Sequence, residues 1–175
     1  MRRYTGWTLA AASVGLGLVL SGCTDTLVVE SAPHPEDPAC ANTMLSLPDV
    51  VGDFHRRDTS SQATGAWGDP SAAVFKCGMD VPAPTTDPCV SVSGVDWIST
   101  QQDEKTWRFV TYNRKPAAEV LVDPTRMPGA TALAALADAV GKLPESARSC
   151  VAAKDLDESG TPQVSGTATP PATRP

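Results

Sequence analysis

Histidine is scarce. Only His34 and His55 occur in 175 residues. His34 lies in a proline-rich stretch, a poor support for precise chemistry. His55 lies in the polar run His55-Arg56-Arg57-Asp58 and reads as a solvated loop residue. A Ser-His-Asp triad would have to rest on His55, and no Gly-x-Ser-x-Gly context exists for it. No His/Glu metal spacing, Cys-x-x-Cys pair or glycine-rich phosphate loop occurs either. Neither a metal nor any other cofactor is expected. Basic residues are also few, 14 Lys and Arg against 20 Asp and Glu. That balance argues against nucleic acid and against an electrostatic grip on anionic lipid.

A long apolar run is missing too. The uncharged stretch Trp7–Leu20 spans 14 residues, whereas a membrane-spanning helix needs about 20. With the basic start Met1-Arg2-Arg3 it has the layout of a signal peptide over residues 1–22. Leu20-Ser21-Gly22-Cys23 then looks like a bacterial lipobox. Cleavage after Gly22 would expose Cys23 for a diacylglycerol. One acyl chain holds only marginally and two hold durably. The expectation is a protein lipid-anchored at the outer face of the cytoplasmic membrane. Removing residues 1–22 takes away two arginines, so the net charge goes from −6 to −8.

Four cysteines remain: Cys40, Cys77, Cys89 and Cys150. An even set in an exported chain reads as two disulfides. Three pairings are possible. The expected one is Cys77–Cys89, closing a short Pro-rich loop, with Cys40–Cys150 joining the ends of the domain. Each is worth about 3–5 kcal/mol in the chain-entropy model.

Residues 23–37 carry Pro33 and Pro35 and read as a semi-rigid tether. Leu27-Val28-Val29 within it is apolar, and whether it joins a sheet is left open. Residues 154–175 are Ser/Thr/Pro-rich and read as a disordered tail. The domain then covers residues 38–153. Asp37-Pro38 opens a short helix carrying Cys40, Met44 and Leu47 on one face. Trp67-Gly68-Asp69-Pro70 and Asn113-Arg114-Lys115-Pro116 are turns. Strands are expected at Ala72–Cys77, Cys89–Ile98, Thr106–Tyr112 and Ala118–Val122. The alternation in Cys89–Ile98 slips phase at Gly94, which predicts a bulge or tight bend there. A helix over Gly129–Lys142 has the apolar stripe Leu133, Leu136, Ala137 and Val140. The fold class expected is α+β: a small antiparallel sheet of about four strands, a short N-terminal and a longer C-terminal helix on one face, and two disulfides.

Leu47-Pro48, Ala66-Trp67-Gly68-Asp69-Pro70, Cys77-Gly78, Gly94-Val95-Asp96-Trp97 and Leu143-Pro144 follow one another in fixed order. In these segments the chain resembles the actinobacterial secreted lipoproteins grouped as domain of unknown function 3515. The likeness covers about residues 40–150. It implies an envelope protein with no assigned activity and supplies no catalytic residues.

Asp69 and Asp96 each neighbour a tryptophan. Paired carboxylates beside aromatics are what a sugar-cleaving site uses, although a turn and an outer strand face explain them separately. Trp67, Trp97 and Trp107 are expected mainly in the core; any that is exposed would be a natural contact for a partner protein or glycan. Arg108, Arg114 and Lys115 could form a basic spot. Two functions follow: a non-enzymatic envelope lipoprotein that binds a partner protein or cell-wall component, or a cell-wall hydrolase built on Asp69 and Asp96. A domain that only spaces or shields is a third option.

Overall fold

A computed structural model describes residues 26–150. Cys23, the signal segment and the expected tail lie outside the described residues. The chain runs α1 (Cys40–Leu45), β1 (Val50–Val51), β2 (Phe54–Arg57), β3 (Thr64–Trp67), β4 (Ala73–Met79), β5 (Cys89–Val92), β6 (Val95–Asp103), β7 (Thr106–Thr111), β8 (Ala117–Val122) and α2 (Gly129–Val140). All eight strands join one antiparallel sheet in the order β1-β2-β3-β4-β8-β7-β6-β5. The expected four-strand α+β fold is therefore corrected to a mostly-sheet fold of twice that strand number.

Three causes account for the difference. First, β1, β2 and β3 are too short or too irregular in pattern to read. All four residues of β3 are buried, so Thr64-Gly65-Ala66-Trp67 shows no alternation. Second, Gly94 marks a chain reversal and no bulge. Ser93 and Gly94 both have positive φ, 49° and 79°, as a two-residue hairpin loop requires. The expected single strand is the hairpin β5–β6, closed by the Val92–Val95 pair. Val90 pairs with Trp97, so these four apolar residues do share one face. Third, β6 continues to Asp103 through a stretch read as a polar connection.

One sheet face carries Trp67, Phe75, Trp97, Phe109, Val120 and Val122, all buried. Register fixes this: Phe75 pairs with Val120, and Val120 with Phe109. Both helices cover that face. The stripe Leu133, Leu136, Ala137 and Val140 on α2 is buried as expected. Gly129 sits where a Cβ would lie 2.9 Å from the Phe109 ring, so the start of α2 rests directly on β7. The start of α1 differs slightly from the expected cap. The Asp37 carboxylate accepts the Ala39 amide at 2.9 Å and its carbonyl accepts the Cys40 amide, so one tight turn precedes the helix.

The disulfides are Cys40–Cys77 and Cys89–Cys150. The expected pairing is thus corrected. Cys77 lies on β4 and Cys89 on β5, four strand positions apart. At about 4.8 Å per position the gap is about 19 Å, far beyond the about 4.4–6.8 Å a disulfide spans. Cys77 instead faces α1, and Cys89 lies on the opposite sheet face, reached by the segment after α2.

The tether is also corrected over its described part. The Leu27 amide donates to Asp58 O, and the Ser60 amide donates to Leu27 O. Val29 and Ala32 are buried. The His34 amide donates to Gly78 O at 2.9 Å. Gly78 has φ +98°, and a Cβ there would lie 2.0 Å from His34 O. Residues 27–34 therefore belong to the domain.

Four outcomes follow. Non-reducing peptide mapping yields the pairs 40–77 and 89–150; a 77–89 peptide would contradict the topology. Removing either bridge lowers unfolding free energy by about 4 kcal/mol for closed loops of this length. Gly78→Ala costs at least about 2 kcal/mol in denaturant unfolding, from its left-handed φ and the blocked His34 segment. Finally, Asp123 accepts the Thr125 hydroxyl and amide at 2.6 and 2.9 Å. The hydroxyl bond, then the amide bond, hold its carboxyl below the ordinary range. A depressed folded pKa gives stability that is present above the unfolded value and lost as pH falls through the folded value. NMR titration of Asp123 should show the low midpoint, and Thr125→Ala should raise it.

Candidate functional site

A two-strand corner at one sheet edge lines an open concavity. Asp49-Val50-Val51-Gly52-Asp53-Phe54 folds back on itself because Gly52 takes φ +57°, pairing Val51 with Phe54. β2 then leaves β1 and pairs with β3, Arg56 opposite Trp67 and Arg57 opposite Ala66. Between this corner and the β3–β4 turn lies an open groove of about 910 Å³. Asp49, Asp53, His55, Arg56, Arg57, Asp58 and Asp69 supply its charged or titratable walls.

Its geometry is that of a mixed-charge surface. Arg57 Nη1 lies 2.9 Å from Asp69 Oδ1 and donates to Gly68 O at 3.4 Å. The Asp69 side chain is 77% exposed, so this pair is worth about 0–1 kcal/mol. The Arg126 guanidinium stacks 5.1 Å from the Phe54 ring centre, fixing a groove wall. His55 is exposed at the groove. Among the described residues no three His, Cys, Asp or Glu side chains converge to hold a metal ion. The groove can present donors and acceptors of both signs to a polar partner.

Asp69 and Asp96 are not brought together. Asp69 sits in the exposed β3–β4 turn, while Asp96 is buried on β6 at the other end of the strands. Three strand positions and about five residue rises separate them, a distance on the order of 20 Å. Asp96 instead has a structural role. Its carboxylate accepts the Ser91 hydroxyl and, at 2.8 Å, the Cys150 amide. It therefore holds the segment that carries the second disulfide.

The tryptophans divide. Trp67 and Trp97 are 0% exposed and cannot touch a partner. Trp67 Nε1 donates to Pro48 O at 3.0 Å. Trp107 is half-buried and stacks on Phe109, ring centres 6.4 Å apart. The basic spot does not form either. Arg114 is buried, donating to Asn113 O at 3.0 Å, and Arg108 is bound to Glu119.

Glu119 is the buried charge that sequence reading passed over. Its side chain is 5% exposed, with Lys76 Nζ at 3.2 Å and Arg108 Nε on its other oxygen. Lys76 on β4 lies directly opposite Glu119 on β8, and Arg108 on β7, opposite Leu121, reaches Glu119 diagonally. Strand alternation placed Glu119 on the outer face, but only the strand order shows two cations flanking it. The groove corner was equally hidden. Its one signal was Gly52-Asp53 between short apolar runs, a hairpin-loop pattern.

Two substitutions separate these sites. Glu119→Gln leaves Lys76 and Arg108 facing a neutral amide in a poorly solvated place, and about 2–4 kcal/mol of stability is lost. Asp69→Asn, at the exposed pair, changes stability by less than about 1 kcal/mol. Equilibrium unfolding in urea checks both.

Neither a curated protein nor a solved structure matches the chain. A family model does, over residues 10–148, with the description Protein of unknown function (DUF3515). That match covers well over half of the sequence, and the chain belongs to this family.

Proposed function

We infer that this protein is a cell-envelope lipoprotein of the actinobacterial secreted type. A lipid on Cys23 holds it at the outer face of the cytoplasmic membrane, and its domain is a non-enzymatic binding module. The observation that carries the anchoring is the division of the cysteines. Cys40, Cys77, Cys89 and Cys150 pair among themselves, so Cys23 is the odd one of five and has no partner within the chain. It follows directly on Leu20-Ser21-Gly22, in the place where acylation needs a free thiol. Two further facts support this reading. Structural disulfides suit an oxidising, extracytoplasmic compartment. The family match begins at residue 10, so residues 10–20 of the apolar run and Cys23 fall within the matched stretch.

The binding role rests on the groove. It is open, mixed in charge and walled by fixed side chains, and these are the properties of a polar contact surface.

Two measurements test the proposal. Intact mass of the detergent-extracted protein shows loss of residues 1–22 and a diacylglycerol on Cys23. Cys23→Ser keeps its leader and leaves the membrane-lipid fraction. A native mass that retains residues 1–22 without lipid contradicts the anchor. For the groove, a photo-crosslinking side chain at Asp53 gives a discrete adduct in intact cells, and one at Lys142 does not. Failure of every groove position to give an adduct above the Lys142 control contradicts the binding role.

A further inference from the structure

The short connection between Cys23 and the folded domain fixes how the domain faces the membrane. This step rests on the acylation of Cys23 proposed above. Leu27 is already bound into the domain, its amide on Asp58 O at 3.0 Å and its carbonyl on the Ser60 amide at 2.9 Å. The Val29 amide donates to Ser60 Oγ at 3.0 Å, and its side chain is buried. Four residue steps separate Cys23 from Leu27. Fully extended, they reach no more than about 14 Å. A domain of this size has a diameter of about 36 Å. The connection is therefore shorter than the radius of the body it holds, and free tumbling above the bilayer is excluded.

We propose that the sheet end formed by the β2–β3 loop, with Leu27 and Val29 bonded along it, lies against the lipid surface. Two exposed carboxylates, Glu30 and Asp58, flank this end, and the loop between the strands is itself neutral. The loop Thr59-Ser60-Ser61-Gln62-Ala63 carries no charge. Val28, between half-buried Leu27 and buried Val29, is 86% exposed, an apolar side chain turned out of the domain at the point nearest the acyl group. Five residue steps keep it within about 18 Å of Cys23, in reach of the interface. The β6–β7 turn at Glu104–Lys105 points the other way. From Thr64, level with Ile98 through the paired strands, it lies four strand positions across and about six residue rises along. That puts it on the order of 30 Å from the loop. The groove shares Asp58 and Thr59 with the membrane-facing end, so its occupant would meet it near the bilayer.

The test uses full lipoprotein reconstituted in phosphatidylcholine vesicles containing brominated lipid. Gln62→Cys and Glu104→Cys each add one free thiol for a fluorophore, because the four domain cysteines are oxidised and Cys23 is acylated. The expected result is several-fold stronger quenching at position 62 than at 104. A flexible insert of about 20 Gly and Ser residues after Asp25, spanning about 25 Å, should remove most of that difference. Equal quenching at the two positions with the native connection, acylation being verified by mass, overturns the orientation and leaves the anchor standing. A protein with no lipid on Cys23 overturns the anchor, and the orientation with it.

Discussion

The pairing of β8 with β4 is the constraint on which the rest of this structure depends. After β4 the chain crosses to the far edge and returns through the β5–β8 meander, so that residues 117–122 dock beside residues 73–79. That return places Phe75 against Val120 and builds the apolar face that α2 covers. It also places Glu119 between Lys76 on one side and Arg108 on the other. The same arrangement sends Cys77 and Cys89 to separate parts of the sheet. Each cysteine then finds a partner close in space, Cys77 on α1 and Cys89 on the segment beyond α2.

How much of this was legible in the sequence follows from what each signal measures. Local patterns were read well. The α2 stripe, the β7 and β8 strands and the turns at Trp67–Pro70 and Asn113–Pro116 all rest on neighbours in sequence. Non-local pairing was not read. Nothing near Cys77 indicates that three strands will come between it and Cys89, so loop length alone favoured the wrong bridge. β3 is buried throughout and holds Gly65 and Ala66, while β2 is polar at a sheet edge. Neither shows the alternation that marks a half-buried strand. Gly94 was recognised as a special position, but a hairpin loop and a bulge produce the same phase slip in an apolar pattern. The site suffered most. The groove is made from β1–β2 and the β3–β4 turn, and the first two of these elements were unreadable. Trp67 and Trp97 were rightly suspected of belonging to the core.

Two different uses of cysteine emerge from the account. Four cysteines cross-link the described domain, and in the function proposed above the fifth carries the lipid. The domain begins within a few residues of that fifth cysteine. The groove runs along β2, from Asp58 and Thr59 beside the uncharged β2–β3 loop to Gly68 and Asp69 in the β3–β4 turn. The described domain is a cross-linked antiparallel sheet with an open, mixed-charge groove between the β1–β2 corner and the β3–β4 turn.

The claim underlying all of this is the return of β8 to β4. Proton NMR on the oxidised protein tests it through cross-strand contacts between backbone α-protons and amides. The account predicts contacts from Val74 to Leu121 and from Lys76 to Glu119, in the register of the paired strands. Contacts from residues 73–79 to residues 89–92 would contradict it, since they would place β5 beside β4 and dissolve the strand order.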